Sequence, residues 1–273
     1  MKQYKQIYYL VGFLVLIIVV GYYIADSSWN VVMDTLTATE IPSPSPSPSP
    51  APIPITETPQ ASPTSEWAEY EFPASIDSSQ KYLFYLHGRI IEDQGIPAIS
   101  SDFGEYEYAV ILKKLREHGF VVISEQRPKN TDSVEYASRV IEQITTLLNA
   151  DVLAKNITVV GASKGAGIAI YISHFLANEE VNFVIMGICH PDIVKDLKQQ
   201  QISLYGNVLS IYDFADDEYA GSCEDLFSFS EVNGGLSRRA EIVLSIGTGH
   251  GILYKPLDEW ILPVVKWANN SSD

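Results

Sequence analysis

The chain has 273 residues, of which 46% are hydrophobic and 19% charged, and its formal net charge at pH 7 is −16. This length allows one catalytic domain with additional segments, and the negative charge argues against nucleic acid as a partner because phosphates would be repelled. Two cysteines exclude a disulfide-built scaffold and a four-cysteine zinc site, and the histidines show no metal motif, so we expect neither a metal nor any other cofactor.

The N-terminal part of the chain predicts a membrane anchor. Residues 1–6 contain Lys2 and Lys5, and residues 7–25 form an apolar run without a charge. A helix of this length can cross the hydrocarbon core of a bilayer. The positive-inside rule then places residues 1–6 in the cytoplasm and everything after residue 25 outside. The alternative is a cleaved signal peptide, whose apolar region is normally shorter and ends at small residues.

Residues 26–66 are predicted to be an extracytoplasmic linker. Their second half reads IPSPSPSPSPAPIPITETPQASPTSE. Frequent proline removes backbone donors and fixes φ, which prevents both helix and sheet and favours an extended, disordered stalk. A recognition motif for a proline-binding module is the alternative, and a location outside the cytoplasm does not favour it.

Predicted strands and helices alternate along residues 67–273, the predicted folded domain. The predicted strands are 67–72, 81–87, 120–125, 157–161, 182–189, 208–212 and 241–246, and the predicted helices are 106–118, 133–149, 165–177, 193–200, a region after residue 217, and 257–269. The strands ITVVG and VNFVIMGIC are continuously apolar, as in strands buried on both faces. The alternation predicts an α/β fold with a doubly wound, mostly parallel sheet. The short connection between residues 189 and 208 leaves no room for a large cap.

The strongest motif is GASKG at residues 161–165. It directly follows the strand ITVV and directly precedes the helical run AGIAIYISHFLA. This is the G-x-S-x-G nucleophile elbow in the strand–turn–helix context that it requires. The glycines permit a sharp turn, and the N-terminus of the following helix favours developing negative charge. The motif predicts Ser163 as a nucleophile.

The same residues also fit a phosphate-binding loop. The run VGASKGAG matches G-x-x-x-G-x-G, which in short-chain dehydrogenases binds a dinucleotide at a helix N-terminus. That loop should follow the first strand, whereas two or three predicted strands precede it here. The Tyr-x-x-x-Lys pair of those enzymes is also absent from the chain.

These motifs resemble the α/β-hydrolase superfamily over residues 67–273. Within it, the chain resembles poorly characterised members with HGR and GASKGA motifs and no obvious cap, and the family order is Ser, then Asp, then His. The resemblance implies that the HGR motif at residues 87–89 opens a loop that donates one oxyanion-hole amide. The two donors would then be the backbone amides of Arg89 and Lys164, and His87 itself would be structural.

The resemblance also implies the other two members of a catalytic triad. His250, in GTGHG between the last predicted strand and the last predicted helix, is where the family holds its general base. The family pattern of an apolar strand followed by H-G-x-x-D, laid on residues 212–216, places the acid at Asp216. Asp217, Asp213 and Asp192 remain alternatives.

Three other side chains have two interpretations each. Lys164 either attracts an anionic substrate or pairs with Glu92 or Glu125. Cys189 and Cys223 follow strand ends that are expected to be neighbours, so they form either a disulfide, which a location outside the cytoplasm would permit, or two free buried thiols.

The predicted function is that of a serine hydrolase. It cleaves a carboxylester or thioester bond of a small-molecule or acyl-ester substrate through an acyl-enzyme intermediate, and it is a single-pass membrane protein with its catalytic domain outside the cytoplasm. One alternative is a catalytically inactive α/β-hydrolase-fold module that binds a partner at the surface. The other is an NAD(P)-dependent protein similar to short-chain dehydrogenases. The sequence does not indicate which oligomeric state the protein adopts.

Overall fold

A computed structural model of the protein describes residues 70–269. The predicted anchor at residues 7–25, the predicted linker at residues 26–66 and the first residues of the predicted domain lie outside this range. Within residues 70–269, no helix combines the length and the apolar character that a bilayer crossing requires.

Six parallel strands form the main sheet of the described domain, in the order β4-β1-β5-β6-β7-β8. Every pairing in this sheet is parallel, which confirms the predicted α/β class. A short antiparallel pair, β2 with β3, lies apart from it. The strands are β1 (Tyr82–Leu86), β2 (Ile99–Ser100), β3 (Gly104–Glu105), β4 (Val121–Ile123), β5 (Ile157–Ala162), β6 (Asn182–Met186), β7 (Tyr205–Asp213) and β8 (Gly235–Leu244).

Helices cover both faces of the main sheet, so the sheet is doubly wound. They are α1 (Arg89–Gln94), α2 (Tyr108–Glu117), α3 (Ser133–Asn149), α4 (Lys164–Leu176), α5 (Pro191–Gln199), α6 (Glu224–Asn233) and α7 (Asp258–Ala268). Strand β1 shows how the core divides, because its successive side chains point to opposite faces. Tyr82 and Phe84 pack in the cluster that contains α3, α4 and α6, whereas Leu83 and Tyr85 pack in the cluster that contains α2 and α7.

Helix α3 illustrates the sequence signals that produce a helix packed on one face of the sheet. Asp132 caps its N-terminus, since the carboxylate accepts hydrogen bonds from the backbone of Val134 and Glu135 at 2.9 Å. The buried side chains Tyr136, Val140, Ile144 and Leu147 recur at helical spacing and form one apolar stripe against the sheet. The helix occupies the predicted bounds for this reason.

The topology brings the ends of several strands to one edge of the sheet. In a parallel sheet the carboxyl ends of all strands lie together, and ligands bind there in open α/β sheets. The loops that follow β1, β5, β6, β7 and β8 contain the residues of the candidate site. The connection from β6 to β7 contains one helix, α5, and no larger insertion, as predicted for a domain with little or no cap.

Three predicted strands differ from the observed ones. The predicted strand at residues 67–72 is wrong over its described part. One backbone hydrogen bond of the kind that joins strands forms there, from the N–H of Ser124 to the carbonyl of Tyr70, and Pro73 then supplies no backbone donor to continue the pairing. The predicted strand at residues 182–189 ends at Met186, because Gly187 and Cys189 turn the chain with φ of +61° and +66°. Strand β8 begins at Gly235 rather than at residue 241; its charged first half suits a strand at the border of the sheet.

Candidate active site

Ser163 occupies a strained turn between β5 and α4. Its φ is 53° and its ψ is −118°, a conformation that only glycine adopts easily and that costs a serine about 1–3 kcal/mol. Its backbone N–H donates to the carbonyl of Met186 at 2.8 Å. A Cβ on Gly161 would lie 2.3 Å from the carbonyl oxygen of Gly165, and a Cβ on Gly165 would lie 1.9 Å from that of Leu86. Both glycines of the elbow are therefore required by close backbone contacts.

His250 lies against the carboxylate of Asp216. The distance from His250 Nδ1 to Asp216 Oδ2 is 2.6 Å, and the two residues are only 8% and 4% exposed. A carboxylate in this place accepts the Nδ1–H bond, which leaves Nε2 of a neutral imidazole as a proton acceptor. His250 lies in a 3₁₀ segment, Gly249–Tyr254, between β8 and α7.

Asp213 has a different set of partners. Its carboxylate accepts backbone N–H bonds from Ala215, Ile246, Gly247 and Gly249 at 2.8–3.2 Å. Burial tends to raise the pKa of the Asp213 carboxyl, but these four donors outweigh burial, and the pKa lies below its ordinary value. Asp213 therefore joins the end of β7 to the loop that carries His250.

The other two candidate acids form no hydrogen bond or ion pair with His250 in the described domain. Asp217 is exposed, and Asp192 is exposed at the start of α5, with Oδ2 3.8 Å from the Nδ1 of His190. Of the four aspartates that the sequence offers, Asp216 is the one in the described domain whose side chain contacts His250.

Ser163 and His250 line one cavity with a volume of about 470 Å³. Within the described domain, no hydrogen bond joins the Ser163 hydroxyl to His250. Such bonds are often long in a free enzyme and tighten when substrate binds. The cavity also contains backbone of Gly88 and a largely apolar wall, formed by Ile90, Phe103, Ile188, Ile193, Leu253 and Tyr254.

Arg89 and Lys164 each begin a helix at this cavity. Arg89 is the first residue of α1 and Lys164 the first residue of α4, and both line the cavity. The first N–H groups of a helix have no acceptor within the helix, and the N-terminus carries partial positive charge. The two helix starts lie close together, since a Cβ on Gly88 would be 3.7 Å from the Cβ of Ser163. Arg89 and Lys164, whose amides the sequence predicts as oxyanion donors, thus each begin a helix next to Ser163.

His87 is fully buried behind the cavity. Its Nε2 accepts the backbone N–H of Arg127 at 3.0 Å, and its Nδ1 is 2.8 Å from the carbonyl oxygen of Gly88. Burial and then the charge of Arg127 lower the pKa of His87 to about 3, so the ring is neutral at physiological pH. These contacts fit the structural role that the sequence predicts for His87.

Lys164 forms the ion pair that one of its two interpretations predicts. Its Nζ is 2.5 Å from Oε2 of Glu92 and donates to the carbonyl of Thr131 at 2.7 Å. The other carboxylate oxygen of Glu92 accepts the Nε–H of Arg127 at 2.7 Å. The side chains of Glu92 and Arg127 are 1% and 0% exposed. The sequence does not predict that Arg127 joins this pair.

A disulfide joins Cys189 to Cys223, with Cα atoms 5.2 Å apart, so the alternative of two free thiols is wrong. Cys189 follows β6 and Cys223 precedes α6, and a backbone bridge joins Cys189 to Ala220. The disulfide therefore anchors the C-terminal end of the segment that carries Asp216.

Two aromatic rings that the sequence does not single out pack on His250. The ring centroids of Tyr219 and Phe103 lie 4.9 Å and 6.3 Å from that of His250. Both belong to irregular segments, whose spacing carries no periodic signal. In residues 70–269, no group of His, Cys, Asp and Glu side chains is arranged to hold a metal ion.

Comparison with known proteins gives likeness to structures but not to sequences. No family model and no curated protein matches the chain. Among solved structures, the chain is similar to one described as a predicted CIB-like hydrolase from Thermoplasma acidophilum, with 14% identity, a TM-score of 0.46, and coverage of 72% of this chain and 90% of that chain. It is also similar to SOBER1 of Arabidopsis thaliana, with 9% identity, a TM-score of 0.46, and coverage of 70% and 98%. A third is a lipase-esterase related protein from Clostridium acetobutylicum, with 12% identity, a TM-score of 0.41, and coverage of 71% and 96%.

The chain's own architecture, rather than these similarities, identifies its fold. A parallel, doubly wound sheet carries a strained serine at a strand–helix turn after β5. Asp216 and His250 follow that serine in chain order and meet each other at the same edge of the sheet. Residues 70–269 therefore have the architecture of the α/β-hydrolase superfamily, as the motifs predict.

Proposed function

We propose that this domain is a serine hydrolase that cleaves a carboxylester or thioester bond through an acyl-enzyme intermediate. The proposal is supported most by the 2.6 Å contact between His250 and Asp216 at the cavity that also contains Ser163. A nucleophile, a neutral base and a carboxylate that orients the base are the parts that acyl transfer requires. The largely apolar wall of the cavity suits an uncharged acyl group.

In the first half of the reaction, the Ser163 hydroxyl attacks the carbonyl carbon of the substrate. His250 Nε2 takes the serine proton, and Asp216 stabilises the resulting imidazolium through its bond to Nδ1–H. The carbonyl oxygen becomes negative in the tetrahedral intermediate, where the backbone N–H groups of Arg89 and Lys164 donate to it. When the intermediate collapses, His250 protonates the departing alcohol or thiol, and the acyl group stays on Ser163.

Water completes the cycle by the same steps. His250 takes a proton from a water molecule, which attacks the acyl carbonyl, and the second tetrahedral intermediate expels the Ser163 oxygen. That oxygen regains its proton from His250, and the carboxylic acid leaves. No cofactor takes part in either half, because every proton and electron pair is supplied by these side chains, the substrate and water.

Labelling with a fluorophosphonate tests the proposal together with hydrolysis of p-nitrophenyl esters and thioesters. The wild-type protein should label and hydrolyse, and Ser163→Ala should abolish both while the melting temperature shows an intact fold. Loss of the nucleophile costs on the order of 10⁶-fold in turnover in a serine hydrolase of another fold. Ser101→Ala is a matched control, since Ser101 is an exposed serine next to the residues that line the cavity.

Two results would contradict the proposal. Equal labelling of Ser163→Ala and wild type would remove the serine from the mechanism. A folded wild-type protein that neither labels nor hydrolyses would favour the second hypothesis, a catalytically inactive module that binds a partner at its surface.

We also propose that the domain acts outside the cytoplasm, held to the membrane by residues 7–25. The uncharged run and the flanking Lys2 and Lys5 support this topology. The disulfide between Cys189 and Cys223 supports it independently, because disulfides persist mainly in oxidising compartments.

A further inference from the structure

The two proposed oxyanion donors belong to distant parts of the chain. Arg89 begins α1 after β1, and Lys164 begins α4 after β5. Both N–H groups must point at one oxygen atom in the transition state. A misplacement of about 1 Å can cost roughly 10²-fold in rate, so a side-chain contact that fixes the separation of the two helix starts, beyond the pairing of β1 with β5, would matter for the rate.

Glu92 supplies such a contact. It lies in the first turn of α1, three residues after Arg89, and its Oε2 is 2.5 Å from the Nζ of Lys164. Its side chain is 1% exposed and that of Lys164 is 14% exposed, so water screens this pair little. One carboxylate on α1 therefore binds the side chain of the residue whose amide begins α4.

Arg127 fixes the same carboxylate and the segment in front of α1. Its Nε donates to Glu92 at 2.7 Å, its backbone N–H donates to His87 Nε2 at 3.0 Å, and its Nη2 donates to the carbonyl oxygen of His87. His87 precedes Gly88 and Arg89 directly. We name Glu92, Arg127 and Lys164 together the Glu92 clamp.

The Glu92 clamp also carries an excess of positive charge. Arg127 and Lys164 are two cations that share the single carboxylate of Glu92, and the Nη1 of the buried Arg127 has no hydrogen-bond partner in the described domain. Burial and the positive charges of Arg127 and Lys164 lower the pKa of His87, so this ring adds no further charge. Two residues of the clamp, Glu92 and Lys164, belong to the first turns of the two helices, next to the proposed position of the oxyanion.

We propose that Glu92 is a positioning residue that holds the Arg89 and Lys164 amides at the separation required by the oxyanion. The proposal rests on the proposed function and goes beyond it, because it assigns a role in the reaction to three side chains that do not touch the reacting atoms. A contact that acts only on the oxyanion affects kcat and leaves the KM largely unchanged.

Lys164→Met is the main test, because it removes the ion pair without removing the Lys164 backbone amide. Glu92 keeps Arg127 as its partner in this variant, so no buried charge is left unpaired. Lys198→Met is the matched control, since Lys198 forms a surface ion pair with Asp225 at 2.8 Å that joins α5 to α6. Rates are expressed per active site, counted by fluorophosphonate labelling carried to completion, so that unfolded molecules do not contribute.

We expect Lys164→Met to lower kcat about 10²-fold with KM changed less than about threefold. The inhibition constant of a trifluoromethyl ketone, which forms a hemiketal oxyanion on the serine, should rise by the same factor as kcat falls. Lys164→Arg should retain kcat within about tenfold because it keeps the charge next to Glu92. Lys198→Met should match the wild type. If Lys164→Met does not fold, Glu92→Asp shortens the same contact by one methylene and should lower kcat without changing KM.

The outcomes separate this proposal from the proposed function. A Lys164→Met protein whose kcat and ketone affinity equal those of the wild type overturns the Glu92 clamp while leaving the nucleophile in place. A loss that appears in KM alone overturns it as well, because substrate binding and not the oxyanion would then depend on Lys164. A wild-type protein that neither labels nor hydrolyses overturns the proposed function, and the clamp with it.

Discussion

Replacement of Asp216 by asparagine tests the geometry of the candidate site directly. Among the described residues, the imidazole of His250 makes one side-chain hydrogen bond, at 2.6 Å from Nδ1 to the Asp216 carboxylate, and both groups are buried. Asparagine has nearly the same shape but can turn an N–H donor towards the ring. Nδ1 then accepts, Nε2 carries the proton, and His250 can no longer take a proton from Ser163.

The expected fall in turnover follows from the loss of the correct tautomer of His250 and of the negative charge that stabilises its imidazolium form. The same change in a known triad lowers turnover about 10⁴-fold, which corresponds to about 5.4 kcal/mol of barrier. Asp217→Asn is a matched control, because it makes the same change of charge one residue away on an exposed side chain. We expect Asp217→Asn to stay within about twofold of the wild type, since exposed charges at that distance are screened.

The assay is ester hydrolysis per labelled active site, with circular dichroism melting to verify the fold. Asp216 also accepts the backbone N–H of Tyr219 at 3.3 Å, so a small loss of stability accompanies the loss of turnover. Retention of more than a tenth of the wild-type turnover in Asp216→Asn would refute the assignment of the acid. An equal loss in Asp217→Asn would refute it too, because the effect would then be one of total charge.

Two further predictions concern the support of His250 and the location of the domain. Gly187→Ala should lower turnover about 10²-fold, because the new Cβ would lie 2.7 Å from Leu253 Cδ1 and 3.0 Å from His250 Cε1. Gly119→Ala is the control: Gly119 also has a positive φ, but a Cβ there would meet no atom within 4 Å, so this variant should lose stability and keep its turnover. Equal turnover of the two variants would show that the position of the His250 ring does not depend on the contact with Gly187. Protease added to intact cells should release a soluble domain by cutting within residues 26–66, whereas a domain protected until the membrane is lysed would contradict the proposed topology.

Local patterns explain what the sequence could predict. The GASKG motif predicts Ser163 because a strand, a glycine turn and a helix follow one another within a few residues, and all three are present. Helix α3 has the predicted bounds because its cap and its apolar stripe are both local signals. Asp216 was distinguished from its neighbours by a family spacing, and the contact that brings it to His250 spans 34 residues.

Contacts between residues far apart in the chain explain what the sequence could not predict. Glu92 meets Arg127 across 35 residues, and no periodicity in the chain encodes this pairing. The pairing of Glu92 with Lys164 across 72 residues was one of several possibilities for Lys164 that the sequence left open. Helix α1 has only six residues, too few for an amphipathic pattern to emerge. The choice between a disulfide and free thiols depends on the packing of the β6 and β7 loops, which bring the Cα atoms of Cys189 and Cys223 within 5.2 Å.

The backbone conformation of Ser163 lowers the stability of this domain, whereas the proposed chemistry requires a serine at this position. A residue with φ of 53° and ψ of −118° is one where glycine is preferred over every other amino acid, so the native serine is the less stable choice at its own position. Ser163→Gly should relieve this strain, raise the melting temperature and remove the proposed nucleophile in one step. Selection for a more stable fold alone would replace the serine. A serine at this strained turn therefore fits the proposed role of its hydroxyl as the nucleophile.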